Sequence, residues 1–312
     1  MSRPAGVLAL LGPTATGKSD LAVAVAERLG GEVISADAFA VHRGFDAGTA
    51  KPSPGQRSRV PHHLVDVRDP TEPWSAGDFA AEARRLARGI LARGRLPVLC
   101  GGTGFYVRTF FEGLFEGPRR DDALRSALGR LAARRGAPHL RRILAILDPA
   151  AADRVLPNDA SRAIRLLEIA LVTGRRPTEL FLERPGERWD GPSVRVLLTL
   201  PRPGLYGRIE RRFRESIEPR LPAEVRGLLA AGVPAEAPAF SAIGYRETAE
   251  LVSGRIGEAE WRERILRETR RFAKRQETWF RHEAGLVRVE ADREDLPDLV
   301  VALARPLFSL SL

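Results

Sequence analysis

Cysteine, lysine and long apolar runs are scarce in this chain of 312 residues. A single cysteine, Cys100, excludes an internal disulfide, and we interpret it as a small buried apolar residue in a reducing compartment. No stretch approaches the roughly 20 apolar residues that a membrane-spanning helix needs. Residues Met1–Ala9 lack a signal-peptide pattern, because the apolar run Val7–Leu11 leads directly into a glycine loop. These features predict a cytoplasmic protein.

Positive charge is abundant, and almost all of it is arginine. The formal net charge is +10 and the pI is about 10.8, although only Lys18, Lys51 and Lys274 are lysines. A large net positive charge favours polyanionic partners, because phosphates release counterions when they are neutralised. The rarity of lysine makes a lysine inside a glycine loop a candidate functional residue.

Short apolar runs alternate with helix-like stretches over the first hundred residues, which is typical of an α/β domain with a mostly parallel sheet. The predicted strands are Val7–Leu11, Glu32–Ser35, Pro97–Cys100 and Val194–Leu200. The predicted helices are Ser19–Leu29, Phe79–Ala92, Asp121–Arg135, Pro138–Leu147, Ser161–Val172 and Glu258–His282, with a loop over Asp148–Asn158. We therefore predict an α/β core with a mostly parallel sheet over 1–118 and 191–312. A helical insertion over 119–190 interrupts the core, and the region after the last predicted strand is expected to be helical.

A phosphate-binding loop is the strongest local signal. It fits the pattern G-x-x-x-x-G-K-[ST], follows an apolar strand and precedes a helix, with the residues Gly12, Pro13, Thr14, Ala15, Thr16, Gly17, Lys18 and Ser19. The glycines let backbone N–H groups converge on a phosphate, and the helix N-terminus adds a partial positive charge. Lys18 would reach the outer phosphate, and the Ser19 hydroxyl would help to hold Mg²⁺. The loop predicts a bound diphosphate or triphosphate without deciding between them, and it indicates that the α/β core is P-loop NTPase-like.

The acidic residue that P-loop NTPases carry on a second strand is missing from the expected place. The predicted strand Pro97–Cys100 runs into Gly101–Gly104 without a carboxylate, whereas the strand Glu32–Ser35 leads to Asp37. The carboxyl ends of strands form the ligand crevice of an open α/β sheet, so we expect Asp37 and Thr103 beside the phosphate loop. A general-base role suits Asp37, with a turn or cap as the alternative, and Thr103 also suits a helix N-cap.

Several sequence blocks run across nearly the whole chain. They are GPTATGKS at 12–19, Asp37 followed by GTAKP at 48–52, PHHLVD at 61–66, GGTGFYV at 101–107, NDASRAIRLLE at 158–168, TGRRP at 173–177, AIGYRE at 242–247 and TRRFAKRQETWFR at 269–281. In this order they resemble the tRNA dimethylallyltransferases, also called tRNA isopentenyltransferases. A phosphate loop alone is shared by many functions, but GTAKP, PHHL and AKRQETWFR together are highly specific.

The resemblance implies prenyl transfer from dimethylallyl diphosphate, with Mg²⁺, to N6 of adenosine 37 in tRNAs that read codons beginning with U. The phosphate loop would hold the diphosphate leaving group rather than ATP, and the family suggests a monomer. By motif, Asp37 would take a proton from the N6 amine, and the diphosphate or its metal would contact Thr14, Lys18, Ser19 and Thr103. An arginine of the segment 208–212 would complete the clamp; Arg212 is preferred and Arg208 comes next.

The chain departs from the family pattern after Asp37. Where the family commonly has Asp-Ser-x-Gln-x-Tyr, this chain has Ala38, Ala40 and His42 in place of the serine, glutamine and tyrosine. His42 would replace a tyrosine hydrogen bond in part. The pair His62–His63 with Asp66 lacks a convincing further ligand, so we do not predict a zinc site.

Basic residues near the carboxyl terminus and in the insertion predict contacts with the tRNA. Residues 255–281 contain nine Lys or Arg and five Glu, interleaved with aromatic residues. The predicted tRNA-binding residues are Arg162, Arg165, Lys274, Arg275, Gln276, Trp279 and Arg281, with further insertion arginines Arg134, Arg135, Arg141 and Arg142. A solvated helix face is the alternative for these arginines, and Arg165 would equally suit a pair with Glu168. By resemblance the insertion covers the anticodon stem.

Three other functions compete with this interpretation. A P-loop kinase of a small metabolite is disfavoured because the second-strand acid is missing. An isopentenyltransferase that acts on free AMP would share the phosphate loop and the base but would not need the insertion or the basic helix. A non-catalytic RNA-binding protein would not need Lys18, Ser19, Asp37 and Thr103 together.

Overall fold

The computed structural model describes residues 4–115, 117–183 and 186–308. The chain forms two compact units, one of Met1–Phe111 with Trp189–Leu312 and the other of Glu112–Arg188. Where the sequence predicted an insertion over 119–190, the second unit therefore spans Glu112–Arg188. Within it, the backbones of Leu114 and Gly186 pack so closely that a Cβ on Gly186 would lie 1.8 Å from the Leu114 carbonyl oxygen.

A six-stranded parallel sheet forms the centre of the first unit. Its strands are β1 (Val7–Leu11), β2 (Gly31–Ser35), β3 (His62–His63), β4 (Leu96–Gly101), β5 (Ser193–Thr199) and β6 (Val287–Glu290). Their order across the sheet is β3-β2-β4-β1-β5-β6, and every neighbouring pair is parallel. Because β4 lies between β2 and β1, the segments that follow these three strands meet at one edge.

The other regular elements of the described residues are helices. In chain order they are α1 (Lys18–Leu29), α2 (Pro54–Arg59), α3 (Ala76–Ala92), α4 (Gly104–Glu112), α5 (Asp122–Arg135), α6 (Ala137–Leu147), α7 (Pro149–Asp153), α8 (Ala160–Thr173), α9 (Pro177–Glu183), α10 (Arg202–Arg212), α11 (Leu221–Ala230), α12 (Tyr245–Val252), α13 (Glu258–Arg281) and α14 (Leu296–Ala304). A π-helical turn, Phe213–Ile217, continues α10, and short 3₁₀ turns cover Pro238–Ser241 and Arg305–Leu307.

Apolar side chains cover both faces of the sheet. The whole of β1 is buried: Leu8 and Leu10 pack on the side of α1 and α14, whereas Val7, Ala9 and Leu11 pack on the side of α3 and α4. Burial on both faces explains why the strand is an unbroken apolar run, since helices cover both sides of a parallel sheet. The prediction of an α/β fold with a mostly parallel sheet is confirmed.

A third apolar cluster joins α11, α12 and α13 around Phe45, Phe240, Tyr245 and Trp261. The cluster places a helical layer against the loop that follows β2. The second unit has a core of its own, formed by α5, α6, α7 and α8 around Leu140, Leu144 and Leu167.

The prediction that the chain is helical after residue 200 is wrong at β6. This strand, Val-Arg-Val-Glu, pairs with Val196–Thr199 at the edge of the sheet, and only its Val289 is buried. One buried side chain in four residues is too weak a pattern to identify a strand. The short β3 and α2 were not predicted, and α7 lies inside the predicted loop Asp148–Asn158, where Asp148 caps it by accepting the Ala151 N–H.

Candidate active site

The phosphate loop lies between β1 and α1, as the sequence predicted. Its final turn needs a left-handed backbone at Gly17 (φ 83°), a conformation that glycine adopts without a steric cost. Two side chains hold the loop from inside, since Thr16 Oγ1 and Lys18 Nζ both donate to the Pro13 carbonyl, at 2.9 and 2.8 Å. The first N–H groups of α1 are left for an anion, because they have no intrahelical partner.

A cavity of about 470 Å³ opens in front of the loop. Its walls come from the loop, the ends of β2 and β4, the end of α10 and α13. The lining includes Lys18, Ser19, Asp37, Arg208, Arg212 and Gln276. Gly101 and Gly102 also line it, whereas Thr103 is not among the described lining residues and uses its backbone N–H to bond Ala36 O at 3.4 Å.

Asp37 is held so that one of its oxygens stays free. Its Oδ1 accepts the backbone N–H groups of Phe39 (2.8 Å) and Ala40 (3.2 Å), while Oδ2 has no hydrogen-bond donor among the described residues. Burial lowers the pKa of both Lys18 and Arg212, and charge attraction to the nearby Asp37 carboxylate opposes that shift in each. The turn alternative for Asp37 is therefore compatible with a place at the cavity: one oxygen fixes the turn, and the residue lines the cavity.

Arg212 connects α10 to the phosphate loop. Its Nη1 donates to Thr14 Oγ1 at 3.0 Å, and burial lowers the pKa of its guanidinium. The helix widens into the π-helical turn Phe213–Ile217 immediately after Arg212, and such turns often occur at functional sites. Arg208 lies one turn earlier on the same helix face and also lines the cavity. Neither arginine forms an ion pair within the described part of the chain, so both charges are available to an anionic ligand.

Burial also shifts the titration of two other groups in the cavity wall. It lowers the pKa of the Lys18 ammonium, since a buried cation loses hydration, and a bound diphosphate would restore a partner for the charge. It raises the pKa of the Cys100 thiol to about 11, which leaves this residue neutral at physiological pH. Cys100 is therefore the small buried residue that the sequence indicated.

Two of the recognised motifs hold the loop that follows Asp37. In GTAKP, the side chain of Lys51 is 4% exposed. Its Nζ donates to His42 O (2.5 Å), Asp46 Oδ1 (2.7 Å) and Asp66 Oδ1 (2.6 Å). In AIGYRE, Tyr245 donates its hydroxyl hydrogen to Glu224 Oε1 at 2.6 Å.

Glu224 was not predicted, and it fixes the same loop by accepting the N–H groups of Asp46 and Ala47, both at 2.9 Å. No sequence signal singles out this glutamate from its helical neighbours. Thr49 and Ala50, which line the cavity, are positioned by these bonds.

The residues that depart from the family pattern occupy different environments. Ala40 lines the cavity, whereas Ala38 packs on the core of the sheet. His42 is 3% exposed, and its Nδ1 bonds the Asp69 carbonyl oxygen at 3.1 Å, so it supports the loop instead of facing the cavity. The paired histidines point to separate partners, with His62 Nδ1 at Val60 O (2.8 Å) and His63 Nε2 at Glu32 Oε2 (2.7 Å).

Comparison with known proteins identifies the family. A family model described as IPP transferase matches residues 40–283. A tRNA dimethylallyltransferase from Geobacter metallireducens is 45% identical over 282 residues, which cover 89% of this chain and 90% of the relative. This chain belongs to the tRNA dimethylallyltransferase family. Another member, from Koribacter versatilis, is 43% identical over 88% of this chain and 89% of its own length.

Solved structures of similar proteins agree with this family. The tRNA isopentenylpyrophosphate transferase from Bacillus halodurans has 35% identity and a TM-score of 0.70, covering 97% of both chains. A eukaryotic dimethylallyltransferase acting on tRNA has 25% identity and a TM-score of 0.73, covering 92% of this chain and 74% of the other. The chain is accordingly a prenyltransferase with the P-loop fold of that family. No helix in its described residues is long and apolar enough to cross a membrane.

Helix α13 carries the AKRQETWFR block of the family and divides its residues between two faces. Lys274, Arg275 and Arg281 are exposed, as expected of groups that contact a tRNA backbone. Trp279 is half-buried, with the Arg108 guanidinium 4.5 Å from its ring centroid. The structure corrects the predicted orientation of Gln276, which is 6% exposed and faces the phosphate loop instead of the basic surface. The helix rotation that buries Ala273 and Phe280 also turns Gln276 inward.

The basic residues of the insertion unit also differ in exposure and in their hydrogen-bond partners. Arg162 is exposed near the start of α8, and Arg134, Arg135 and Arg142 are exposed as well, whereas Arg141 donates to Ala152 O at 3.0 Å. For Arg165 the structure shows the intramolecular alternative, since its Nη1 lies 2.5 Å from Glu168 Oε2 and its Nη2 donates to Pro118 O. Glu168 is fully buried and also binds Arg125 through both of its oxygens, at 2.9 and 2.8 Å.

Neutralising Glu168 is expected to destabilise the insertion unit. Desolvation by burial raises the pKa of this carboxyl, but hydrogen bonds from Arg125, Arg165 and the Asp121 N–H outweigh it and hold the pKa at about 2. Because the folded pKa is depressed, its stabilisation is present above the unfolded pKa near 4.3 and is lost as the pH falls towards 2. Glu168→Gln should lower the free energy of unfolding by about 3–5 kcal/mol at pH 7, measured by urea denaturation.

The matched control is Glu179→Gln, which removes another Arg–Glu pair of i,i+3 spacing in the same unit. Its partner Arg176 lies 3.7 Å away and both side chains are more than half exposed, so the expected change is within about 0.5 kcal/mol. Equal losses in the two variants, or a Glu168→Gln difference that persists undiminished at pH 2, would contradict the assignment.

Proposed function

We propose that this chain transfers the dimethylallyl group of dimethylallyl diphosphate to N6 of adenosine 37 in the anticodon loop of tRNAs that read codons beginning with U. The observation that carries the proposal is the free oxygen of Asp37 in a cavity lined by Lys18, Arg212 and the phosphate loop. One side of this cavity suits a diphosphate, and the carboxylate suits an amine that must lose a proton.

The proposed reaction breaks the C1–O bond of the donor and forms a bond between C1 and the adenine N6. The diphosphate leaves with the electron pair of the C1–O bond, so positive charge around it is the main catalytic requirement. Lys18, Arg212 and the loop N–H groups would supply that charge, with Arg208 and Thr103 as further candidate contacts. Asp37 Oδ2 would take the proton from N6 as the N–C bond forms. The target base must leave its stack to reach the cavity, which costs less in a loop than in a duplex.

The oxygen atoms on one side of the cavity fit a divalent cation. Ser19, Asp20 and Asp37 all line it, and Mg²⁺ prefers hydroxyl, carboxylate and phosphate oxygens. Ser19 would hold the ion together with the donor diphosphate. When bound, Mg²⁺ would neutralise part of the charge that develops on the leaving group.

For the tRNA, we propose contacts from Arg162 in the insertion unit and from Lys274, Arg275, Trp279 and Arg281 on α13. Exposure of these four basic side chains supports the proposal, as does the solved relative described as acting on tRNA. We further propose that the protein acts in the cytoplasm as a monomer.

Mass spectrometry of nucleosides tests this function directly. Unmodified tRNA transcripts are incubated with the protein, Mg²⁺ and dimethylallyl diphosphate, with free AMP in a parallel reaction. A dimethylallyl adenosine is expected from tRNA alone, and it should disappear when position 37 is guanosine or when the third anticodon nucleotide is no longer adenosine. Product from AMP alone would make the protein a cytokinin-type enzyme, and product from the position-37 guanosine transcript would exclude the proposed target.

The affinity for tRNA is expected to fall steeply with salt. If about four phosphates are neutralised, a fourfold rise in monovalent salt should weaken binding roughly 50-fold, measured by filter binding. The double variant Lys274→Ala with Arg275→Ala should reduce the slope of log K against log salt by about 1.4. Arg293→Ala, whose side chain is paired with Asp295, should leave the slope unchanged. A nearly flat salt dependence of the unaltered protein would refute contact through this basic face.

A further inference from the structure

Gln276 connects the basic helix α13 to the phosphate loop. Its Oε1 accepts the backbone N–H of Thr14 at 2.9 Å, and its Nε2 donates to the Gly102 carbonyl at 2.9 Å. The orientation of the amide is decided by its partners, because an N–H must face the oxygen and a carbonyl must face the nitrogen. One side chain thus joins three segments that are far apart in sequence: the phosphate loop, the end of β4 and α13.

Thr14 is consequently held at two points. Gln276 accepts its N–H, and Arg212 donates to its hydroxyl oxygen at 3.0 Å. A guanidinium only donates, so the hydroxyl hydrogen of Thr14 remains available to an acceptor such as a phosphate oxygen. Gln276 and Arg212 together therefore fix both the position of the Thr14 backbone and the role of its hydroxyl.

The close packing around Gly102 indicates that this arrangement needs space for the glutamine. A Cβ at Gly102 would lie 2.2 Å from Gln276 Nε2 and 2.8 Å from the Gly12 carbonyl oxygen. Any larger residue at 102 would push away either the amide or the phosphate loop. The second glycine of the GGTG segment is thus explained by Gln276 and not by turn geometry alone.

We propose that Gln276 is a positioning residue for the donor diphosphate: it holds Thr14 so that the phosphate loop is arranged before the donor binds. This inference rests on the proposed function for the identity of the donor and goes beyond it in moving Gln276 from the tRNA side to the donor side of the site. A loop arranged in advance binds an anion more tightly because less freedom is lost on binding.

Two substitutions at this position are expected to weaken binding of the diphosphate to different extents. Gln276→Met keeps the length of the side chain and removes both bonds, so the Kd for inorganic pyrophosphate and the KM for dimethylallyl diphosphate should rise about tenfold. Gln276→Glu keeps an acceptor for the Thr14 N–H but sets a negative charge against the Gly102 carbonyl and beside the diphosphate. Its effect should be larger, about 100-fold. The KM for tRNA should stay within twofold in both variants.

Calorimetry with inorganic pyrophosphate, steady-state kinetics and melting temperatures test the proposal in the full-length protein. Thr278→Ala is the matched control, since the side chain of this exposed neighbour on α13 donates to Lys274 O within the same helix, and the variant should leave all three measurements unchanged.

Weaker pyrophosphate binding with an unchanged tRNA KM supports the proposal, and a larger loss of affinity in Gln276→Glu than in Gln276→Met supports it further. Pyrophosphate affinity within twofold of the unaltered protein would overturn it. A parallel loss of donor affinity, tRNA affinity and melting temperature would overturn it too, because the role would then be general stability. If the unaltered protein binds pyrophosphate but prenylates no tRNA, the proposed function fails while the calorimetric result still decides the role of Gln276.

Discussion

An Asp37→Asn variant is expected to lose about 10²–10⁴-fold in kcat for tRNA prenylation while it keeps its affinity for the donor. Asparagine retains an oxygen that can accept the N–H groups of Phe39 and Ala40, so the turn should persist. What disappears is the second carboxylate oxygen, the proposed acceptor of the N6 proton.

Two measurements distinguish this loss of kcat from damage to the phosphate loop. Calorimetry with inorganic pyrophosphate should give an unchanged Kd, and slow hydrolysis of dimethylallyl diphosphate without tRNA should continue, because ionisation of the donor does not need a base for N6. Asp78→Asn is the control: this acid accepts the Ser75 N–H in the capping box at the start of α3, is not among the described lining residues of the cavity, and should leave kcat unchanged. Full prenylation by Asp37→Asn would eliminate the base assignment.

A Lys18→Met variant is expected to lose about 10²–10³-fold in kcat/KM for the donor, since it removes a buried charge from the leaving group. The fold of the loop should survive, because Thr16 Oγ1 continues to donate to the Pro13 carbonyl that Lys18 also contacts. In contrast to Asp37→Asn, this variant should also lose donor hydrolysis in the absence of tRNA.

Lys274→Met provides the comparison, since it makes the same lysine-to-methionine change at an exposed position of α13. It should raise the KM for tRNA and leave the KM for the donor unchanged, which is the reverse of the pattern at Lys18. An unchanged donor affinity and turnover in Lys18→Met would exclude the phosphate loop as the diphosphate site.

The order in which strands meet at the site explains why part of it was predictable. Unbroken apolar runs identified β1 and β4, and the loop pattern after β1 placed Lys18 and Ser19. The general rule for open α/β sheets then placed Asp37 beside that loop, and the strand order β2-β4-β1 confirms that the three strand ends are neighbours. Local sequence patterns were sufficient to predict this part of the site, because the strands and the phosphate loop can each be recognised from contiguous residues.

The helical part of the site was less predictable because helix rotation decides which side chains face it. The segment 208–212 contains three arginines, and only the packing of α10 shows that Arg212 reaches Thr14. In α13, a run of polar residues gave no indication that Gln276 lies inside while its neighbours Lys274 and Arg275 lie outside. Glu224 is a further example, since its two backbone partners lie in a different segment of the chain.

The amino-acid sequence by itself determined the parallel sheet, the phosphate loop, the acid after β2 and the family, because these depend on contiguous residues and on their order. Only the tertiary structure decided which cation reaches the loop, which way Gln276 faces and whether Arg165 is already paired. The bonds of Arg212 and Gln276 to Thr14 join residues 198 and 262 positions apart. Their partners are set by how whole helices pack against the sheet, and no local pattern encodes that arrangement.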